Sequence, residues 1–130
     1  MAPRLDGLGL VVDDMAATLA FYRTLGLDIP LEAADEPHVE LDLGGGVRFM
    51  MDTSDVVRSF DAGWERPTDR GRLGLAVRCD DPDAVDDLYR RVIAAGYAGH
   101  LAPWDAVWGQ RYAAVVDPNG IVVDLYAKLG

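Results

Sequence analysis

Apolar positions along the chain form short runs and helical stripes that occur twice in the same order. The run LGLVV, which starts at Leu8 and is bounded by turn residues, predicts a buried strand. Asp13 and Asp14 then offer a helix N-cap, and apolar residues at helical spacing from Met15 predict a helix that ends at Gly26. The strictly alternating segment HVELDL, three glycines and the segment VRFMMD follow, and they predict a hairpin.

The second half of the chain repeats this order. LGLAV begins at Leu73 and matches LGLVV at an offset of 65, which is 73 minus 8. Asp81 and the proline after it predict a second helix start. Two strands follow on either side of a turn that contains Asn119 and Gly120, both of which tolerate positive φ. Trp104 and Trp108 are expected in an irregular segment just before the first of these strands, and an extra strand is expected around residues 100–102. Similarity at half the chain length indicates gene duplication and a two-fold pseudo-symmetric sheet.

These elements predict one α+β domain, residues 1–130, in which two βαβββ modules form a pseudo-symmetric curved mixed sheet. The modules cover about residues 1–52 and 72–130, and residues 53–71 link them. Within the linker, Ser54 is expected to cap a short helix. Phe60 and Trp64 follow it, where aromatic residues usually cover the rim of a core.

Alternation along the strands divides the side chains between two faces of the predicted sheet. The apolar face is expected to meet the helices. The other face combines charged and aromatic residues with small residues at its centre, namely Gly7, Gly9, Gly74 and Ala76. Glycine within a strand often marks the close approach of a ligand or another backbone, so this face is interpreted as a cleft between the modules. The alternative interpretation, an ordinary sheet face exposed to solvent, explains the same pattern equally well.

Composition narrows the choice of partners. The chain has 130 residues and a net charge of −10, so nucleic acid is not expected to bind, whereas solubility alone would explain the charge. No apolar run is long enough to span a bilayer and the N-terminus lacks a signal-peptide pattern, so we expect a cytoplasmic protein without a membrane partner. The single Cys79 excludes an internal disulfide and a zinc site built from several cysteines.

The duplicated order and two longer segments resemble a known superfamily. The segments are GLVVDDMAATLAFYRTLGL near the start and GYAGHLAPWDAVWGQRYAAVVDPNGIVVDLY near the end. They resemble the vicinal oxygen chelate superfamily, which includes glyoxalase I, extradiol dioxygenases and bleomycin-resistance proteins. Within it, the second segment is most similar to mitomycin-binding and related antibiotic-binding resistance proteins. The resemblance covers essentially the whole chain.

Enzymes of this superfamily hold a divalent metal with His or Glu on the first and last strands of each module. Carried over to this chain, those four positions are Gly7, Met50, Arg72 and Asp124. Glycine has no side chain, methionine is a soft ligand and arginine brings a competing positive charge. We therefore expect no metal, no cofactor and no metal-dependent catalysis, and Asp124 is expected to pair with Arg72 or Arg48 instead.

The resemblance implies an antibiotic-binding self-resistance protein that stacks a planar aromatic or quinone-type drug in the cleft. The expected ligand-binding residues are His38, Met50, Asp52, Phe60, Arg72, Trp104, Trp108, Tyr112 and Asp124. A homodimer is expected, with exchange of modules as one way to form it. Two alternatives remain: a metal-independent lyase, isomerase or dioxygenase-like enzyme that uses His38 and the acids around it, and a domain that uses the cleft only for dimerisation.

Overall fold

The computed structural model describes residues 2–68 and 71–130, apart from the side chain of Leu31. Its contacts divide the chain into two compact units. The first unit contains residues 1–20 and 28–66, and the second contains residues 21–27 and 67–130. Two residues of the predicted linker, Asp69 and Arg70, lie outside the described part of the chain.

The first unit contains a three-stranded mixed sheet in the order β1, β3, β2. Strands β1 (Gly7–Val12) and β3 (Arg48–Thr53) are parallel, and β2 (His38–Asp42) is antiparallel to β3. The glycines at 44, 45 and 46 all have positive φ and make the predicted turn between β2 and β3. Among the described residues this half has three strands, one fewer than the expected βαβββ order.

Helices of the first unit begin where short polar side chains can cap them. Helix α1 (Met15–Thr24) starts after Asp14, whose carboxylate accepts a hydrogen bond from the Ala17 amide, and Gly26 follows its end with positive φ. A 3₁₀ helix (Leu31–Asp35) precedes β2. Helix α2 (Ser54–Phe60) confirms the helix expected in the linker, but its cap is Thr53 rather than Ser54 because the Thr53 hydroxyl accepts from the Val56 amide.

The second unit contains a four-stranded mixed sheet in the order β4, β7, β6, β5. Strands β4 (Gly74–Arg78) and β7 (Val122–Lys128) are parallel, and β6 (Gln110–Val116) is antiparallel to both β7 and β5 (Ala98–Ala106). Helix α3 (Pro82–Ala94) begins at Asp81, which accepts a hydrogen bond from the Ala84 amide. The extra strand is therefore confirmed, and it is longer than expected.

Alternation produces the core of each unit. In the first unit, Val39, Leu41, Phe49 and Met51 are buried while the residues between them along β2 and β3 are more exposed. In the second unit, Val115, Val123 and Leu125 are fully buried, as are Val85 and Val92 of α3. No helix among the described residues is both long enough and apolar enough to cross a membrane.

The turn between β6 and β7 contains Asn119 and Gly120, as expected. The Gly120 amide donates to the Asp117 carbonyl at 3.1 Å, and the Ile121 carbonyl accepts from the Asp117 amide at 2.9 Å. Gly120 has φ of 86°, whereas Asn119 does not have positive φ. Pro118 fixes the first central position of a type I turn, so only the glycine needs the left-handed conformation.

Candidate functional site

Three aromatic rings of the second unit contact one another on the open face of its sheet. Arg111 of β6 donates two hydrogen bonds to Asp86 of α3, which places Arg111 on the helix side of the sheet. Side chains alternate along a strand, so Tyr112 points to the opposite side. The Tyr112 ring lies 5.5 Å from that of Trp104 and 5.3 Å from that of Trp108. The two tryptophan rings are 5.8 Å apart.

The rings meet edge to face, with interplanar angles of 89°, 70° and 83°. This is a favourable geometry for aromatic pairs. Because no two of them are parallel, the cluster has no slot between stacked rings, and a flat ligand can stack only on an outward ring face. Trp104 lies in β5 directly opposite Tyr112, so it belongs to a strand and not to the irregular segment expected from the sequence.

Trp108 is the most accessible member of this aromatic cluster. It lies on the turn between β5 and β6, where the Gly109 amide donates to the Ala106 carbonyl. Its side chain is oriented by a 2.9 Å hydrogen bond from its indole Nε1 to the Gln110 amide oxygen. Trp108 is 57% exposed and Trp104 is 36% exposed, and Val107 between them in sequence is 100% exposed. Large apolar side chains with this exposure offer contact area to a ligand or partner.

Asp124 of β7 supplies a carboxylate beside the aromatic cluster. Burial, and then the neighbouring Asp124 carboxylate, raise the Tyr112 pKa to about 12. The residues opposite Asp124 on the neighbouring strands are Ala76 and Ala114. The Asp124 carboxylate thus lies near a tyrosine, and Arg48, one of its two expected partners, contacts Glu40 and Asp6 instead.

A second polar cluster lies on the sheet of the first unit. His38 Nδ1 is 2.5 Å from Asp52 and its Nε2 is 2.8 Å from Glu40. Arg48 donates to the other Glu40 oxygen at 2.9 Å and lies 3.7 Å from Asp6. The pairing of β2 with β3 places His38 directly opposite Asp52, so sheet register creates this charged row.

The contacts of His38 favour the protonated form of its ring. A neutral imidazole has one N–H, whereas both His38 nitrogens face carboxylates, so both contacts are hydrogen bonds only when the ring is protonated. Hydrogen bonds to Glu40 and then Asp52 raise the His38 pKa. Hydrogen bonds from His38 and then Arg48 lower the Glu40 pKa. The two carboxylates thus favour the imidazolium form of His38.

The structure brings together some of the predicted ligand-binding residues and separates others. Trp104, Trp108, Tyr112 and Asp124 form one cluster, and His38 pairs with Asp52. Met50 lies on β3 next to Gly9 and Glu40 of the neighbouring strands. Phe60 ends α2 and is exposed, whereas Arg72 is exposed and precedes β4.

Two residues that hold these clusters were missed by sequence reasoning as parts of a site. Gln110 orients Trp108, and Arg48 orients Glu40. Gln110 begins β6 two residues after Trp108, which lies in the preceding turn, so strand alternation does not predict their contact. The contact of Arg48 with Glu40 depends on which residues of β2 and β3 lie opposite each other. A hairpin prediction does not fix that register.

The observed registers shift the internal repeat by two residues. The N-caps Asp14 and Asp81 differ by 67, which is 81 minus 14, and the strand starts Gly7 and Gly74 differ by the same number. Gly74, and not Arg72, therefore corresponds to Gly7. The expected offset of 65 was therefore wrong. A shift of two residues leaves each side chain on the same face of its strand, so the hydrophobic pattern could not distinguish an offset of 65 from one of 67.

Comparison with known proteins gives the family. A family model of the glyoxalase, bleomycin resistance protein and dioxygenase superfamily matches residues 4–125. The chain belongs to this superfamily. Uncharacterised proteins of Mycobacterium bovis and Mycobacterium tuberculosis H37Rv are each 30% identical to it over 116 residues, or 85% of this chain, and the match covers 74% and 66% of their lengths.

Solved structures of the superfamily have the same fold. A family enzyme from Burkholderia phytofirmans has a TM-score of 0.81 at 22% identity, covering 98% of this chain and 100% of that one. A glyoxalase-related enzyme from Fulvimarina pelagi has a TM-score of 0.80 at 18% identity, with 98% and 89% covered. A lactoylglutathione lyase from Agrobacterium tumefaciens has a TM-score of 0.67 at 22% identity, with 98% and 95% covered.

The residues at the superfamily's metal positions do not fit a divalent cation. With the corrected repeat these positions are Gly7, Met50, Gly74 and Asp124, and only the last offers a hard oxygen ligand. A Cβ on residue 7 would lie 2.8 Å from the Met50 methyl, and one on residue 74 would lie 3.3 Å from the Val122 carbonyl oxygen. In residues 2–68 and 71–130, no group of three or more His, Cys, Asp or Glu side chains could hold a metal ion.

Proposed function

We propose that this protein binds a planar aromatic or quinone-type antibiotic on the aromatic cluster of its second unit and confers resistance by sequestration. The observation that carries the proposal is the contact of Trp104, Trp108 and Tyr112 on an open sheet face. The sequence around them, WDAVWGQRY, is part of the segment that resembles mitomycin-binding resistance proteins.

Exposed tryptophan area supplies the main driving force for binding. Removing apolar surface from water contributes about 25 cal/mol per Å². An aromatic contact adds about 0.5 to 1.5 kcal/mol beyond that area. The Gln110 hydrogen bond already orients Trp108, so less side-chain freedom is lost when a ligand stacks on it.

The residues at the superfamily's metal positions favour ligand binding over metal-assisted chemistry. Three of the four superfamily metal positions are glycine or methionine, so the protein offers one oxygen ligand where a catalytic cation needs several. Two other polar groups near the rings are the Tyr112 hydroxyl and the Asp124 carboxylate, which lie beside each other. Cys79 has its pKa raised by partial burial and then by Asp80, which disfavours its nucleophilic thiolate form.

Calorimetric titration with mitomycin C and with the quinoxaline antibiotic echinomycin tests the proposal. We expect a micromolar or lower Kd for at least one drug, and Trp108→Ala should weaken it about tenfold or more. Trp64→Ala is the matched control, because Trp64 belongs to the first unit, where it contacts the Arg58 guanidinium. Equal losses from both substitutions, or no binding of either drug, would remove the proposal.

A metal-independent enzyme of the same superfamily is the second candidate, and the His38 cluster favours it. An imidazole oriented by a carboxylate is a common general acid or base, and His38 contacts both Asp52 and Glu40. Chromatography of the drug after incubation separates the two functions. Sequestration predicts that the drug is recovered unchanged at a stoichiometric ratio, whereas an enzyme would convert more than one equivalent.

We also propose that the protein acts in the cytoplasm as a homodimer. Superfamily sites are often completed by a second chain, and the exposed apolar residues of the turn after β5 are available for such contact. Light scattering measures the mass directly. A dimeric mass without drug supports this arrangement, and a monomeric mass at micromolar concentration contradicts it.

A further inference from the structure

The open sheet face of the second unit consists of regular rows of side chains. One row crosses the sheet from Ala76 through Asp124 and Ala114 to Leu101. Both strands beside β7 thus place alanine next to Asp124, so no bulky side chain at these paired positions covers its carboxylate.

The next row contains the aromatic residues. It runs from Arg78 through Tyr126 and Tyr112 to Trp104. Asp124 and Tyr112 are diagonal neighbours in the two rows, which is close enough for their side chains to interact. The carboxylate therefore lies at the border between the aromatic cluster and the small residues.

The polar groups near Asp124 are mainly hydrogen-bond acceptors for a ligand. Tyr112 lies beside Asp124, and a tyrosine hydroxyl has one proton, which a neighbouring carboxylate can accept. A carboxylate accepts but does not donate when ionised. The Trp108 indole N–H is occupied by the Gln110 amide oxygen. Beside Asp124, acceptors thus prevail.

From this, and resting on the proposed function, we infer that the preferred ligand is a planar aromatic ring that carries a protonated amine, bound by the Asp124 carboxylate. The ring stacks on the aromatic cluster while the ammonium group donates to the Asp124 carboxylate. Aromatic faces attract cations, and the net charge of −10 attracts them to the protein from a distance.

Two basic residues on this face also affect the binding of a cationic ligand. Arg78 lies on the exposed edge strand, one row from Asp124, and its positive charge opposes a cationic ligand. Lys128 lies one row further, opposite Gln110. Both are exposed and screened by solvent, whereas Asp124 is half-buried beside Tyr112. The nearer and less screened charge sets the preference.

Two dyes of the same ring size test the inference. Acridine is neutral at pH 7.5, and 9-aminoacridine carries a positive charge there. Calorimetry on the full chain is expected to give 9-aminoacridine about tenfold tighter binding than acridine. Asp124→Asn should abolish this preference and change acridine binding by less than about twofold. Asp28→Asn removes the same unit charge from an exposed site and should keep the preference.

The outcomes separate the two claims. Equal affinity of the two dyes for the native protein, or an unchanged preference in Asp124→Asn, overturns the amine inference and leaves aromatic binding intact. Absence of binding by both dyes contradicts the proposed function itself. If circular dichroism shows that Asp124→Asn is unfolded, Tyr112→Phe decides instead, since it leaves the carboxylate free for the amine. The preference should then be at least that of the native protein, and its loss overturns the inference.

Discussion

Tyr22 donates a 2.7 Å hydrogen bond from its hydroxyl to Asp117, joining residues that are 95 positions apart in sequence. Tyr22 is 1% exposed and Asp117 is 4% exposed. The other Asp117 oxygen accepts from the amides of Asn119 and Ile121, so this one carboxylate organises the turn before β7 and holds the end of α1. Burial, and then the Asp117 charge, raise the Tyr22 pKa. The turn that precedes Asp124 therefore depends on a residue from the first half of the chain.

Tyr22→Phe should destabilise the protein by about 1.5 to 3 kcal/mol, because it leaves a buried carboxylate oxygen without its donor. Urea unfolding measures the loss. Tyr97→Phe is the matched control, since it keeps the ring that contacts Phe21 at 5.0 Å and should cost less than about 0.5 kcal/mol. Similar losses from the two substitutions would show that Asp117 does not depend on Tyr22.

Stability should fall as pH rises through the His38 pKa. The folded-state pKa is raised, first by Glu40 and then by Asp52. The favourable contribution of the imidazolium is thus fully present below the unfolded pKa, about 6.5, and is lost above the folded one. Unfolding between pH 6 and 9 measures this loss, and NMR titration gives the pKa. Asp52→Asn should lower the His38 pKa. A titration below 6.5 in the native protein would contradict the proposed ion pairs.

Chelation should not affect drug binding. The four superfamily metal positions contain one carboxylate, so the bound state is not expected to include a cation. Dialysis against EDTA followed by calorimetry with mitomycin C should change Kd by less than about twofold, and so should re-addition of Zn²⁺, Ni²⁺ or Mn²⁺. A Kd that rises with chelation and recovers with one of these ions would reinstate a metal site.

Local signals were enough to predict most elements of the fold. Asp14 and Asp81 cap their helices, and Gly26 and Gly96 follow the helix ends with positive φ, as short polar residues and glycine do at such positions. Alternation in HVELD predicted which side chains share a face, and the row of His38, Asp52 and Glu40 confirms it.

The errors came from features that local pattern does not encode. Shifting the alignment of the two repeats by two residues keeps each side chain on the same face of its strand. Arg72 was therefore aligned with Gly7, where Gly74 belongs. Trp104 lies in a strand because it pairs with Tyr112, a contact that depends on two register shifts in β5. The Tyr22 to Asp117 hydrogen bond is tertiary and has no sequence signal of its own.

The most direct test of aromatic binding uses the indole N–H signals of the three tryptophans. In a ¹H–¹⁵N NMR titration with mitomycin C, assigned by single substitutions, the signals of Trp104 and Trp108 should shift together and saturate at one equivalent. The signal of Trp64 should stay within experimental error. A titration in which Trp64 alone shifts, or in which no indole signal shifts at a saturating drug concentration, would contradict the account.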